Sequence, residues 1–387
     1  MEDIAFLTNE TASYDDVAEN GYARPVDFES PNIGVAERVD APVYNPNTHE
    51  IRLVPNIIYE RHEGGRHPAR AYWIGRKIKK AIFGCVKSCT VLKFRNDIDV
   101  PWEITDQKAA VKIMSWDKIR NIRHVEDPQK EISALQYLCR DGVHPNVLHP
   151  MDALHDDQYL LLFMPYCDSG DLFGFVAHAA QSGRLFPERI ARFWFHQILQ
   201  GLAHLQRNGV CHRDMSLENI LVDNMSTAIV MDLGMCLRLP YPKQDGRGSG
   251  DYTEGTLRRL VAPCIPCGKY GYMAPEIMMG EAFDGFAIDL WGAGVILFMM
   301  LTGLPPYEFP NNDDPRYRQI ARGGLERLLR SWRCQVSPEA TDLVQNMLLE
   351  DPRERLSLSE VRDHPWVLDE VPDVQMGEPA PTEGWRY

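Results

Sequence analysis

Apolar residues along this chain change their period once, near Asp171, and that change restricts the folds open to it. Before it, short runs such as YWIGRKI, CVKSCTVLKF and KAAVKIM have strand length and branched content, broken by one amphipathic helix near residues 128–139. After it, RIARFWFHQILQGLAHL sets Ile190, Phe193, Trp194, Ile198, Leu202 and Leu205 at helical spacing. The reading is α+β: a small strand-rich lobe joined to a larger helical one. With 387 residues, 44% of them hydrophobic, the chain can bury the core of one large two-lobed domain or of two ordinary ones.

Charge sets the ends apart. The first fifty residues hold eleven Asp and Glu against Arg24 and Arg38, so residues 1–70 are expected to form an acidic, disordered region. Residues 368–387, acidic with Pro372, Pro379 and Pro381, are expected to be a tail. The net charge of −14 disfavours nucleic acid and anionic membrane surfaces as partners, and neither is expected. The opening MEDIAFLTNE lacks the basic and apolar regions of a secretory signal. The apolar stretch Leu290–Leu301 is short for a bilayer and reads as a buried helix. Nine scattered cysteines suggest no disulfide framework. They fit free thiols in a reducing intracellular compartment, cytoplasmic or nuclear.

Lys112 lies inside an apolar strand, AAVKIM, where an unpaired ammonium would be costly. Glu131, on the helix that Pro128 opens, is its natural partner. Further on, Asp214 and Asn219 stand in CHRDMSLENILV, and Asp232 ends an apolar strand in IVMDLGM. Aspartate and asparagine offer the hard oxygens that Mg²⁺ takes alongside phosphate oxygens, and a further aspartate can orient a hydroxyl and accept its proton. Together with a lysine held by a glutamate, these are the groups phosphoryl transfer needs.

Residues 71–367 resemble a eukaryotic protein kinase domain, with the layout of the calcium/calmodulin-dependent-kinase-like group. AAVK is similar to the strand-lysine motif, HRDMSLEN to the catalytic loop, DLG to the metal-binding triplet and MAPE to the end of the activation segment. HPNVL, DLWGAGVILF and DPRERLSLSEVRDHPW match in the same order. The resemblance implies a two-lobed kinase fold and an ATP- and Mg²⁺-dependent enzyme phosphorylating serine or threonine in protein substrates. It further implies that Lys112 meets the α/β-phosphates, that Asn219 and Asp232 hold Mg²⁺, and that Asp214 is the base. Ile78, Gly84, Val86, Ala110, Met164, Pro165, Cys167 and Leu221 would surround the nucleotide, with Pro165–Cys167 as hinge. Glu276 would pair with Arg355. Asp171 and Glu218 are similar to acids that favour basic residues near the target hydroxyl, although Met299 replaces a further one.

Three departures stand out. IKKAIFGCV carries Lys79 and Ala81 where the glycine-rich loop has glycines, retaining only Gly84. Either the loop is degraded, or Lys79 and Lys80 attract the triphosphate electrostatically. Serine/threonine kinases also carry a lysine where Ser216 stands and a threonine where Lys269 stands; here the two side-chain types look exchanged. The expectation is that Lys269 reaches back toward the transferring phosphoryl group while Ser216 supplies a hydroxyl bond to Asp214 or Lys269. Finally, the activation segment is long, and Arg213 resembles the arginine that reads its phosphate. Ile265 occupies the usual phosphate position, leaving Ser249, Tyr252, Thr253 or Thr256, or the carboxylate of Glu254. The alternative to a working enzyme is a pseudokinase, a nucleotide-binding or inert scaffold.

Overall fold

A strand that alternates sides positions the cleft. In β5 (Trp102–Ser115) Ala109 and Val111 point into one apolar cluster while Ala110 and Met114 join another, so the period of two puts Lys112 on the second face. The computed structural model describes residues 24–62, 68–97, 99–122, 124, 126–183, 185–239 and 260–369. β5 is part of a closed barrel with β1 (Gly34–Asn45), β2 (Glu50–Glu60), β3 (Arg70–Ala81), β4 (Gly84–Phe94), β6 (Asp152–His155) and β7 (Tyr159–Pro165). The order is β1-β2-β3-β4-β5-β7-β6, and β6 closes on β1 through Gly34 opposite Leu154 and Val35 opposite His155. Such closure removes the exposed edges an open sheet would present.

The barrel corrects the expectation of disorder through residue 70. Two of its strands come from that acidic region, because Val43, Val54, Ile57 and Ile58 are buried while Glu37, Asp40 and Glu50 stay on the accessible side. Asp40 also accepts from the N–H of Asn56 at 2.9 Å beside a register shift, and Arg38 pairs with Asp156 at 2.7 Å. Residues 1–23 and the tail from residue 370 lie outside the described residues.

Helix α1 (Trp116–Asn121) is short; α2 (Pro128–Leu138) carries Glu131, with Asp127 capping its first N–H groups and proline in its first turn. The second lobe holds α3 (Leu172–Gln181), α4 (Glu188–Arg207), the short strands β8 (Val210–Cys211), β9 (Ile220–Val222), β10 (Ala228–Val230) and β11 (Leu237–Arg238), then α5 (Pro275–Met278) and α6 (Gly285–Thr302). Five helices follow between Pro315 and Leu368 among the described residues. By length and composition α6 could cross a membrane, but the fold buries all of it. It is the hub on which the catalytic loop is hung. Glu276 and Arg355 brace this lobe through two contacts at 2.9 and 3.1 Å, both side chains almost wholly buried.

Candidate active site

Lys112 and Glu131 meet at 2.7 Å between β5 and α2. Burial works against the ammonium and raises Glu131, but the contact with Glu131, reinforced by Asp232, leaves the lysine above its ordinary pKa. Asp232 follows β10 in a left-handed conformation, φ 69°. Burial opposes its charge, yet Lys112, His212, Lys269 and the Gly234 N–H outweigh burial and hold its carboxyl below the usual range.

The catalytic loop runs from β8 to β9. Arg213 has φ 68°, an uncommon backbone for a side chain of its size. Asp289, on α6, holds it there: its two oxygens accept from the N–H groups of His212 and Arg213 at 2.6 and 2.8 Å. Burial pushes that carboxyl up to about 6. His212 accepts at Nδ1 from the Asp214 N–H at 3.2 Å, which leaves Nε2 to donate to the Met231 carbonyl at 2.8 Å. Asp214 is thereby fixed at its backbone, and Asn219 donates from Nδ2 to its carbonyl and to Oδ2, both at 2.7 Å. The amide oxygen is then the atom Asn219 can offer elsewhere.

The expected contact between Lys269 and Ser216 is present. Nζ of Lys269 donates to Ser216 Oγ at 2.8 Å and lies 3.3 Å from Asp214 Oδ2, while its backbone N–H donates to Asp214 Oδ1 at 3.0 Å. Gly268 allows this approach. Its φ is 97°, and a Cβ there would lie 2.8 Å from the Arg213 carbonyl oxygen. Ser216 is fully buried, which holds the hydroxyl in one place.

Around the expected nucleotide site, Ala110 and Met164 face each other across β5 and β7 and belong to one apolar cluster, against which Val86, Cys167 and Leu221 pack. Burial pushes the Cys167 thiol up to about 12, which disfavours the thiolate. Pro165 ends β7 opposite Ala109. Gly84 is required, since any Cβ would collide with the Ile113 carbonyl oxygen. Ile78 stands apart: it is 43% exposed, at a register irregularity of β3. The lysine-bearing loop forms a tight hairpin, with Lys79, Lys80 and Ala81 opposite Val86, Cys85 and Gly84, and Phe83 buried at its tip.

Sequence reasoning quoted Asp289 as the start of DLWGAGVILF but gave it no part in the site. It missed Glu126. Burial raises that carboxyl, the charge of Asp232 adds to the rise, and its Cγ lies beside Gly234. Asp171 caps α3 through the Gly174 N–H at 3.0 Å, so one of its oxygens is already occupied. Arg213 donates to the carbonyls of Met235 and Ile265 and lies 2.8 Å from the Cys264 sulfur. Ser249, Tyr252, Thr253, Glu254 and Thr256 fall outside the described residues.

A lysine on a barrel strand, its paired glutamate on α2, and an Asp–Asn loop hung from a buried helix define a two-lobed phosphotransferase architecture. The chain belongs to the protein kinase domain family, which matches residues 100–367. Relatives include the serine/threonine protein kinase OSK3 of Oryza sativa, 28% identical over 312 residues, covering 80% of this chain and 53% of that protein. The SNF1-related protein kinase catalytic subunit alpha KIN12 of Arabidopsis thaliana is 30% identical over 268 residues, covering 69% and 48%. Calcium-dependent protein kinase 8 of the same plant is 29% identical over 312 residues, covering 79% and 51%. The chain thus spans about half the length of the curated relatives it matches.

Proposed function

We propose that the chain is a protein kinase that transfers the γ-phosphate of ATP to serine or threonine of protein substrates, with Mg²⁺ as cofactor. One observation carries this reading: the Lys269 ammonium lies between Ser216 and Asp214, so a cation stands beside the base although the catalytic loop itself lacks its usual lysine.

The donor set fits Mg²⁺. Asp232 is held ionised, Asn219 keeps its amide oxygen available, and no group of three or more His, Cys, Asp or Glu forms a closed cage among the described residues. A metal that keeps waters and phosphate oxygens takes such an open, two-residue site. Bound there, it would neutralise charge on the phosphates. Lys112, fixed by Glu131, presents its ammonium to the α/β-phosphates. Asp214, oriented by His212 and Asn219, accepts the proton of the attacking hydroxyl. Lys269 swings from its carboxylate toward the phosphoryl group as negative charge develops.

Glu218 supports a preference for basic substrates. Its carboxylate is half-buried beside the Tyr272 hydroxyl, with Oε2 shielded from solvent, and a substrate arginine or lysine there would give it a charged partner. The nine free cysteines support an intracellular location, cytoplasmic or nuclear. The test is phosphate transfer from labelled Mg-ATP to a peptide library by wild type and Asp214→Ala. Transfer lost in the variant establishes the enzyme; an activated wild type that binds ATP and stays silent means a scaffold.

A further inference from the structure

Residues 24–33, ahead of the first strand and outside the family match, reach β11 and the last turn of α2. The Val26 N–H donates to the Arg238 carbonyl at 2.7 Å, and Arg238 Nη1 donates back to the Asp27 carbonyl at 3.3 Å. Phe28 meets Tyr137 edge-on with ring centres 5.5 Å apart, and the Arg238 guanidinium covers the same tyrosine ring at 4.3 Å. Gln136 then makes a two-way pair with Asn32: its Oε1 accepts from the Asn32 N–H at 2.8 Å, and its Nε2 donates to the Asn32 carbonyl at 2.7 Å. Two consecutive residues in the last turn of α2 are therefore held from outside by one strap. At its far end the strap becomes β1, which is fixed to the barrel through β6.

These contacts join the parts whose relative position the site depends on. α2 carries Glu131, the partner of Lys112; β11 is the strand that leaves the Asp232 loop. The first end of α2 is already tied to that loop, since the Asp127 N–H donates to the Gly234 carbonyl at 3.2 Å. At the second end the helical lobe holds the inner side, with Tyr137 Oη donating to the Asn208 carbonyl at 3.2 Å and His204 Nε2 meeting the Leu138 carbonyl at 3.0 Å, and the strap adds the outer side. A pivot of the helix about these inner contacts would draw Glu131 from Lys112, leaving a buried charge on each side without its partner.

We propose that Arg24–Ile33 is a positioning element for catalysis: by holding Gln136 and Tyr137 it keeps α2 seated, so that Glu131 stays on Lys112. This rests on the kinase reading above, and acts through population. If loosening the strap leaves only a fraction of molecules with the pair formed, apparent rate and nucleotide affinity fall by that fraction.

The experiment uses the full chain carrying Phe28→Ala/Gln136→Ala, with Gln136→Ala alone as a milder variant whose change lies on the helix surface. Both are made in wild type and in Glu131→Gln, and both phosphate transfer and binding of a fluorescent ATP analogue with Mg²⁺ are read. The expected result is a loss of about tenfold in kcat/KM and weaker analogue binding in wild type, near-complete rescue in Phe28→Tyr with Gln136 restored, and less than about twofold further loss in Glu131→Gln. Equal losses in the two backgrounds would overturn the proposal, because the strap would then act on general stability and not through Glu131. So would full activity in a folded double variant. If wild type binds the analogue but transfers no phosphate, the kinase reading fails, and the strap is still judged by the same comparison on analogue affinity.

Discussion

Two lysine–carboxylate pairs share the cleft and are built in opposite ways. Lys112 and Glu131 touch at 2.7 Å with side chains only 13% and 5% exposed. Lys269 lies 3.3 Å from Asp214, is 39% exposed, and divides its ammonium with a serine hydroxyl. The first pair has left water and depends on its partner; separating it strands a charge. The second remains partly solvated, so its lysine can be redirected at small cost. Burial thus assigns the first pair to holding the site together and leaves the second free to follow the reaction.

The largest effect should come from stranding a partner of the buried pair. Lys112→Met leaves Glu131 alone in an apolar surround, and is expected to lower turnover by at least about 10³-fold and folding stability by about 3–5 kcal/mol. Phosphate transfer and denaturant unfolding measure the two. A variant with wild-type stability would show that the pair is not the buried structural contact described above.

Lys269→Ala should separate the two quantities. Turnover should drop about 10²–10³-fold, the range for removing one donor aimed at developing charge, while stability falls by only about 1–2 kcal/mol, the cost of leaving the buried Ser216 hydroxyl without its donor. The reciprocal exchange, Ser216→Lys with Lys269→Thr, should recover turnover to within about tenfold of wild type, since it returns an ammonium to the other side of Asp214. Unchanged turnover in Lys269→Ala would remove the contrast between the pairs.

Asp289 extends the comparison to a buried carboxylate whose contacts are backbone N–H groups. Its folded pKa of about 6 lies above the ordinary 3.8, so the folded protein retains a proton that the unfolded chain releases. Its contribution to stability therefore falls as pH rises from about 4 to about 6, by about 3 kcal/mol, and is constant above that. Depressed carboxylates such as Asp156 and Asp314 act in the reverse direction, so the diagnostic is the difference between wild type and Asp289→Asn. Denaturant titrations between pH 4 and 7 should show that difference changing by about 3 kcal/mol; a constant offset would place the Asp289 carboxyl at its ordinary value.

How much of this was legible depended on whether partners lie in one motif. Asp214, Asn219 and Asp232 sit at fixed places in two short segments, and Lys112 with Glu131 could be paired because a lysine in an apolar strand demands an anion. Even the Lys269–Ser216 contact was open to reasoning, as a charge missing from one position and present at another. The β1–β2 hairpin was not legible: its acids resemble a solvated tail, and Pro42 and Pro55 argue against strands. It forms because Val43, Val54, Ile57 and Ile58 close the barrel, a contact made with strands far along the chain. The Asn32–Gln136 pair spans 104 positions and leaves no local trace. The register irregularity of β3 on either side of Lys77, next to Ile78, likewise has no local signal in the sequence.

Ser216 supplies the smallest and most discriminating change. Its hydroxyl accepts from Lys269 inside a fully buried position, and alanine fills the space without a new clash. Removing it takes one charge-assisted bond from an ammonium that still has Asp214 and water, so the expected loss is about 1 kcal/mol, or about fivefold in turnover. The comparison with Lys269→Ala fixes the meaning of the result. A loss near fivefold says that the serine aims the lysine, which does the work. A loss as large as that of Lys269→Ala would give the hydroxyl its own part in the proton path to Asp214. No loss at all would mean that Asp214 alone orients the ammonium, and that the half-exposed pair is sufficient without a third member.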